Sequence, residues 1–193
     1  MKLYANGELR GENLGEKELL EEVNRFLREQ QKLERVVKHC YVDGGEVRDF
    51  RSQLPQYLKS EKAEQVELVS VHQEELVVET LHSALEYLDN LTNFLGAVVQ
   101  DLEQGKGYQR DAFLNFVEGL EWLYTATRSL AAYLGSEKLG EMQDRLQSDF
   151  QQVNQGLESG DAAYLKEVLN SQLSGTLEEL KIHLDEALEG LEE

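Results

Sequence analysis

Between residues 73 and 104, apolar side chains recur at alternating steps of four and three: Val77, Leu81, Ala84, Leu88, Leu91, Leu95, Val98 and Leu102. A mean spacing of about 3.5 residues keeps one seam of a helix turned toward a partner. Val78, Leu85 and Val99 flank the seam on one side, Tyr87 and Phe94 on the other. The stripe is therefore wider than a two-stranded coil can bury and predicts a helix with neighbours on two sides. The pattern returns in 109–134 (Phe113, Phe116, Leu120, Leu123, Thr127, Leu130, Leu134) and in 137–158 (Leu139, Met142, Leu146, Phe150, Val153, Leu157). A final helix over 161–191 carries Leu165, Leu169, Leu173, Leu177, Leu180, Leu184, Ala187 and Leu191. Its unbroken steps of four from Leu165 to Leu177, with Gly175 nearby, predict a local unwinding or bend.

The breaks between these helices are short. Gln104-Gly105-Lys106-Gly107 ends the first, Gly135-Ser136 stops the second and caps the third, and Ser159-Gly160-Asp161 does the same before the fourth. Connections this short favour antiparallel neighbours, so an up-down-up-down four-helix bundle is expected over residues 72–193.

The first 71 residues follow a different rhythm. Residues 2–5 alternate and end at Asn6-Gly7, a hairpin signal because both residues tolerate positive φ; Glu8–Arg10 would be the return strand. Asn13, three residues before Glu16, predicts a capping box for a helix over 16–30. That helix has Leu19, Leu20, Val23, Phe26 and Leu27 on one face and Glu18, Glu21, Glu22, Arg25 and Arg28 on the other. Arg35–Val42 reads as a strand, Asp43-Gly44-Gly45 as a turn, and Glu46–Arg48 as a short returning strand. One or two helical turns are expected around Pro55 within Gln53–Lys59, then a last strand over Val66–Val71. Ser70, three residues before Gln73, predicts a capping box at the start of the long helix, with almost no linker.

This order resembles the β-grasp (ubiquitin-like) arrangement, and Lys2-Leu3-Tyr4-Ala5-Asn6-Gly7-Glu8 is similar to the start of its small sulfur-carrier members. The resemblance implies a fold for residues 1–71 and no more. Sulfur carriers act through a free C-terminal Gly-Gly, whereas here Val71 runs directly into His72-Gln73 and Gly44-Gly45 sits in a turn. The expected fold class is α+β: a small β-grasp-like N-terminal domain over 1–71, followed by an acidic antiparallel four-helix bundle over 72–193.

Charge sharpens this picture. The chain of 193 residues carries a formal net charge of −19. Residues 1–71 hold 12 Lys/Arg against 14 Asp/Glu, while residues 72–193 hold 7 against 24. A field this negative repels phosphate backbones and anionic headgroups, so neither nucleic acid nor a membrane surface is expected as a partner. Cys40 is the single cysteine, so no intrachain disulfide can form, which fits a reducing cytoplasm. Polar residues interrupt the start of the chain before a signal-peptide core could form, and no apolar run approaches the ~20 residues that span a bilayer. A cytoplasmic protein is expected.

Candidate chemistry is sparse. Glu79 and His82 have the Glu-x-x-His spacing of di-metal bundles, but with Leu81 and Ala84 on the seam both point outward. The last helix offers only Glu179 and His183, also off the seam. His39 and Cys40 are adjacent in a strand, so their side chains leave on opposite faces and cannot act as base and nucleophile. His72 has no ligand-spaced companions, and no phosphate-cradling or hydrolase motif is present. No cofactor, metal or catalytic residue is expected.

The remaining anomaly is helix 109–134. From Trp122 to Leu134 its one charge is Arg128, and Leu114, Trp122, Ala132 and Tyr133 fall off the seam. Something is expected to cover that face: the N-terminal domain folded back, a second copy, or a partner protein, with Leu114, Trp122 and Tyr133 as the candidate interface. The leading expectation is a non-catalytic protein–protein interaction protein that binds itself or another protein. The alternatives are an acidic chaperone of the secretion or flagellar type and a metal-dependent helical-bundle enzyme.

Overall fold

The computed structural model describes residues 1–60, 63–106 and 110–192. The fold is α+β, with an N-terminal five-stranded sheet followed by helices. Two compact units, Met1–Leu76 and Val77–Glu193, each have their own hydrophobic core. The division falls inside a helix rather than after residue 71. Gln73 starts that helix directly on the end of a strand, and its N–H donates to the Glu34 carbonyl at 2.9 Å, so the first turn belongs with the sheet.

In the first unit, β1 (Lys2–Ala5) and β2 (Glu8–Gly11) form the hairpin, with Asn6 and Gly7 at φ 51° and 79°. Helix α1 (Glu16–Lys32) precedes β3 (Arg35–Val42), β4 (Gly45–Glu46), α2 (Phe50–Ser60) and β5 (Gln65–His72). The sheet order is β2-β1-β5-β3-β4, with β1 and β5 parallel and the other pairs antiparallel. This arrangement is compatible with a β-grasp-like fold. Leu19, Val23 and Phe26 of α1 share a core with Leu3, Cys40, Val66 and Leu68 from the sheet.

Three local expectations give way to tertiary context. Asn13 does not cap α1; it takes a left-handed turn at φ 57°, and the Gly15 N–H donates to the Glu18 carboxylate at 2.9 Å instead. Pro55 lies inside α2 rather than at its start, which forfeits one backbone hydrogen bond. Leu54 and Leu58, both buried, hold the helix in place despite that loss. Ser70 is no helix cap: β5 continues through His72, and the Ser70 side chain turns into a buried polar network.

The second unit is helical. It comprises most of α3 (Gln73–Glu103), then α4 (Arg110–Leu134), α5 (Glu137–Ser159), α6 (Ala162–Glu167) and α7 (Ser174–Glu192), with a π-helical segment, Val168–Leu173, joining the last two. Gly107 and Gln109, where the chain was expected to turn into the second long helix, lie outside the described residues. The seam of α3 from Val77 to Val98 is buried, and it shares one core with Phe116, Leu120 and Leu123 of α4, Leu146 of α5 and Leu180 of α7. Paired residue numbers show α3 antiparallel to α4 and to the run from α6 to α7, and α5 antiparallel to α7. Phe94 stacks on Phe116 and Tyr87 meets Trp122 edge-on. Tyr124 pairs with Gln143, Lys138 with Glu186, Arg145 with Glu179, Asp89 with Lys181, and Glu103 with Lys166.

The punctuation works as the sequence suggests. Ser136 accepts from the Leu139 N–H at 3.3 Å, Gly160 closes α5 at φ 65°, and Asp161 accepts from Ala163 and Tyr164, both at 3.0 Å. The π segment falls within the run of fours. Looser winding keeps side chains four apart on one face, and Leu165, Leu169, Leu173 and Leu177 are all buried. Close approach of α3 and α4 depends on Gly119, where an added Cβ would lie 1.3 Å from the Tyr87 hydroxyl.

Candidate functional site

The three residues singled out on α4 are exposed: Leu114 by 51%, Trp122 by 41% and Tyr133 by 40%. They do not converge into one patch. Helical rise separates Leu114 from Tyr133 by about 28 Å along the axis. Glu118, Glu121, Thr125, Arg128 and Ser129 share the exposed strip with them. Trp122 is the best-supported of the three, because Tyr87 braces it edge-to-face at a centroid distance of 5.5 Å and an interplanar angle of 74°. Arg128 and Glu121, the opposite charges on this strip, form no ion pair with any described residue. Beside the strip, between α4 and α5, a groove of about 370 Å³ is lined by Leu120, Tyr124, Leu146 and Phe150, with Glu121 and Thr125 at its lip.

The candidate chemistries stay apart. Glu79 and His82 are exposed on the outside of α3, and His82 lies 4.0 Å from Glu192. Glu179 is engaged by Arg145, and His183 by Glu186 at 3.1 Å. His39 pairs with Glu46 at 2.7 Å and stacks on Tyr41, while Cys40 faces the opposite way into the core. Burial pushes the Cys40 thiol up to about 11, so at neutral pH it is a protonated core group and a poor nucleophile. Among the described residues, no three His, Cys, Asp or Glu side chains are grouped to hold a metal ion. Among the same residues, no helix is long and apolar enough to cross a membrane.

Two features escaped the sequence reading. Asp149, on the inner side of α5, is 7% exposed, and its Oδ2 has no hydrogen-bond partner among the described residues. The other is a groove of about 860 Å³ in the first unit, bounded by α1, the start of β3 and α2. Its wall includes Arg35, whose Nη2 donates to the Ser70 carbonyl at 2.7 Å and whose Nε reaches the Ser70 hydroxyl at 3.2 Å. That hydroxyl donates to Gln30 Oε1 at 2.7 Å, and Asn6 Nδ2 donates to it at 2.9 Å. The network joins residues far apart in the chain. Its one local signal, a serine three residues before a glutamine, also fits a helix cap.

No curated protein and no solved structure matches the chain. A family model described as a domain of unknown function (DUF8042) matches residues 79–183, more than half of the chain and wholly within the second unit. The seam from Leu81 onward, the π segment and the α4 strip lie in the matched region, and the chain belongs to that family.

Proposed function

We propose that the second unit is an antiparallel four-helix bundle, with the π-interrupted run from Ala162 to Glu192 as its fourth helix, and that it is a non-catalytic self-association module. The observation that carries this reading is the exposed strip of α4, with Trp122 at 41% exposure as anchor. The strip is also self-complementary. Glu121 and Arg128 flank Thr125 on it. A two-fold axis near Thr125 brings each copy's Arg128 level with the other's Glu121, pairing charges that form no ion pair with any described residue of their own chain. One helix face is a small interface, so a dimer of roughly micromolar affinity is expected. The acidic field disfavours nucleic acid and anionic membranes as partners, and the unpaired Cys40 fits a cytoplasmic setting.

Sedimentation equilibrium tests the proposal. Wild-type protein is expected to dimerise, Trp122→Ala and Arg128→Glu to be monomeric, and Glu121→Arg/Arg128→Glu to regain the dimer because the pair is restored with reversed polarity. A wild type that stays monomeric at its highest soluble concentration would refute it, as would a dimer indifferent to these substitutions.

A further inference from the structure

The groove of the first unit combines three properties that a folded surface seldom leaves together. About half of its lining is apolar, including Leu20 and Leu27 of α1, Val37 of β3, and Phe50 and Leu54 of α2, with Asn24, Gln31 and Gln73 among the polar remainder. Its backbone wall is open: β5 pairs with β3 from Arg35 to Val42, with a register shift between Val37 and His39, whereas β4 pairs only with Tyr41 and Val42. The stretch from Arg35 to Val37 therefore has no second strand neighbour among the described residues. An open edge beside a half-apolar trough invites addition of an extended segment, whose alternate side chains enter the trough.

Charge decides what kind of segment. The charged residues lining the groove are Arg28, Arg35 and Arg51 against Glu21 alone. This local cationic balance stands in a chain with 19 Lys/Arg and 38 Asp/Glu. Arg35 is held in place by Ser70, while Arg28 and Arg51 form no ion pair with any described residue. Glu21 has Lys17 within 3.9 Å. We infer that the groove binds an extended peptide segment of a partner protein, alternating apolar and acidic residues. That segment would add as a strand beside Arg35–Val37, with its apolar side chains over Leu27 and Phe50 and its carboxylates at Arg28 and Arg51. A polyanion such as RNA fits less well, because the net charge of −19 repels it at long range while a short acidic segment feels mainly the local arginines.

The probe is a synthetic peptide alternating valine or isoleucine with aspartate or glutamate, titrated into the ¹⁵N-labelled full chain. Saturable shift changes are expected at the amides of Arg35–Val37 and along the facing sides of α1 and α2. Arg28→Glu/Arg51→Glu should weaken binding about tenfold or more, since two exposed attractions become repulsions. Both residues are exposed, and an unchanged far-UV spectrum checks that the variant folds. An analogue with lysine in place of each acid should not bind. Proline at the peptide's centre should also abolish binding by removing an edge hydrogen bond. The inference is overturned if the acidic peptide fails to bind, if the lysine analogue binds equally, if the double variant binds as wild type does, or if the shifts map elsewhere. Self-association through α4 is read by sedimentation of the same variant, so the two proposals stand or fall separately.

Discussion

Gly119→Ala offers a sharp test of how α3 and α4 fit together. In a free helix the change stabilises by about 1 kcal/mol, because glycine surrenders more backbone freedom than alanine. Here the new methyl would sit 1.3 Å from Tyr87 Oη, 2.3 Å from Cζ and 2.8 Å from Cε1. The rigid ring cannot shift by tenths of an ångström to escape; it must leave its site. Its departure forfeits the edge-on contact with Trp122, worth about 0.5–1.5 kcal/mol. Repacking around the displaced ring adds a strain of roughly 1–3 kcal/mol. Set against the propensity gain, Gly119→Ala should destabilise the second unit by about 0.5–3.5 kcal/mol. With Tyr87→Ala already in place, the same change should stabilise it by about 1 kcal/mol, giving a coupling of roughly 1.5–4.5 kcal/mol. Trp122 is the single tryptophan of the chain, so urea unfolding followed by its fluorescence reports on this unit. Equal effects of Gly119→Ala in the two backgrounds would refute the packing argument.

Two further outcomes are expected. Asp149→Ala should raise the urea midpoint of the second unit, by about 1–2 kcal/mol in stability, because it removes from α5 a buried carboxylate oxygen that has no partner among the described residues. A clear loss of stability would show that Asp149 has a partner. Cys40 should react with a thiol reagent at pH 8 only as fast as the protein opens, since a thiol with a pKa of about 11 is ionised to roughly one part in a thousand there. The stability linked to its raised pKa is present in full below the ordinary thiol value near 8.5 and is lost as pH climbs to about 11, because the unfolded thiol releases its proton first. Unfolding titrations from pH 8 to 11 should show that decline in wild type and a flatter profile in Cys40→Ala.

Much of this protein could be read from the order of its residues. The seam of α3, the caps at Ser136 and Asp161, and the loosened winding near Leu169 each depend on side chains within a few turns of one another. Backbone geometry fixes such patterns locally, and burial of the apolar stripe enforces them. The hairpin at Asn6-Gly7 is legible for the same reason, because positive φ is a property of single residues. The exposure of Leu114, Trp122 and Tyr133 on α4 was half legible. Periodicity put them off the seam, and the structure added that they are strung along a helix instead of gathered in a patch.

Other features arise only when distant segments meet. Ser70 has a capping pattern, yet Asn6, Gln30 and Arg35 surround it once β5 lies between β1 and β3. The helical turns expected around Pro55 extend to Phe50–Ser60, with Pro55 in their interior, where the burial of Leu54 and Leu58 offsets the lost hydrogen bond. Gly119 looks like a weak point of α4 until the Tyr87 hydroxyl is seen to need its missing side chain. Arg28, Arg35 and Arg51 belong to three elements and share one groove through the register of those elements. The sequence by itself determined the order of helices and strands, the face each long helix buries and how charge divides along the chain, because those follow from neighbours in the chain. Tertiary structure alone decided the polar network, the helix contact at Gly119 and the arginine-rimmed groove, because each is a meeting of residues whose separation in the chain carries no information about their separation in space.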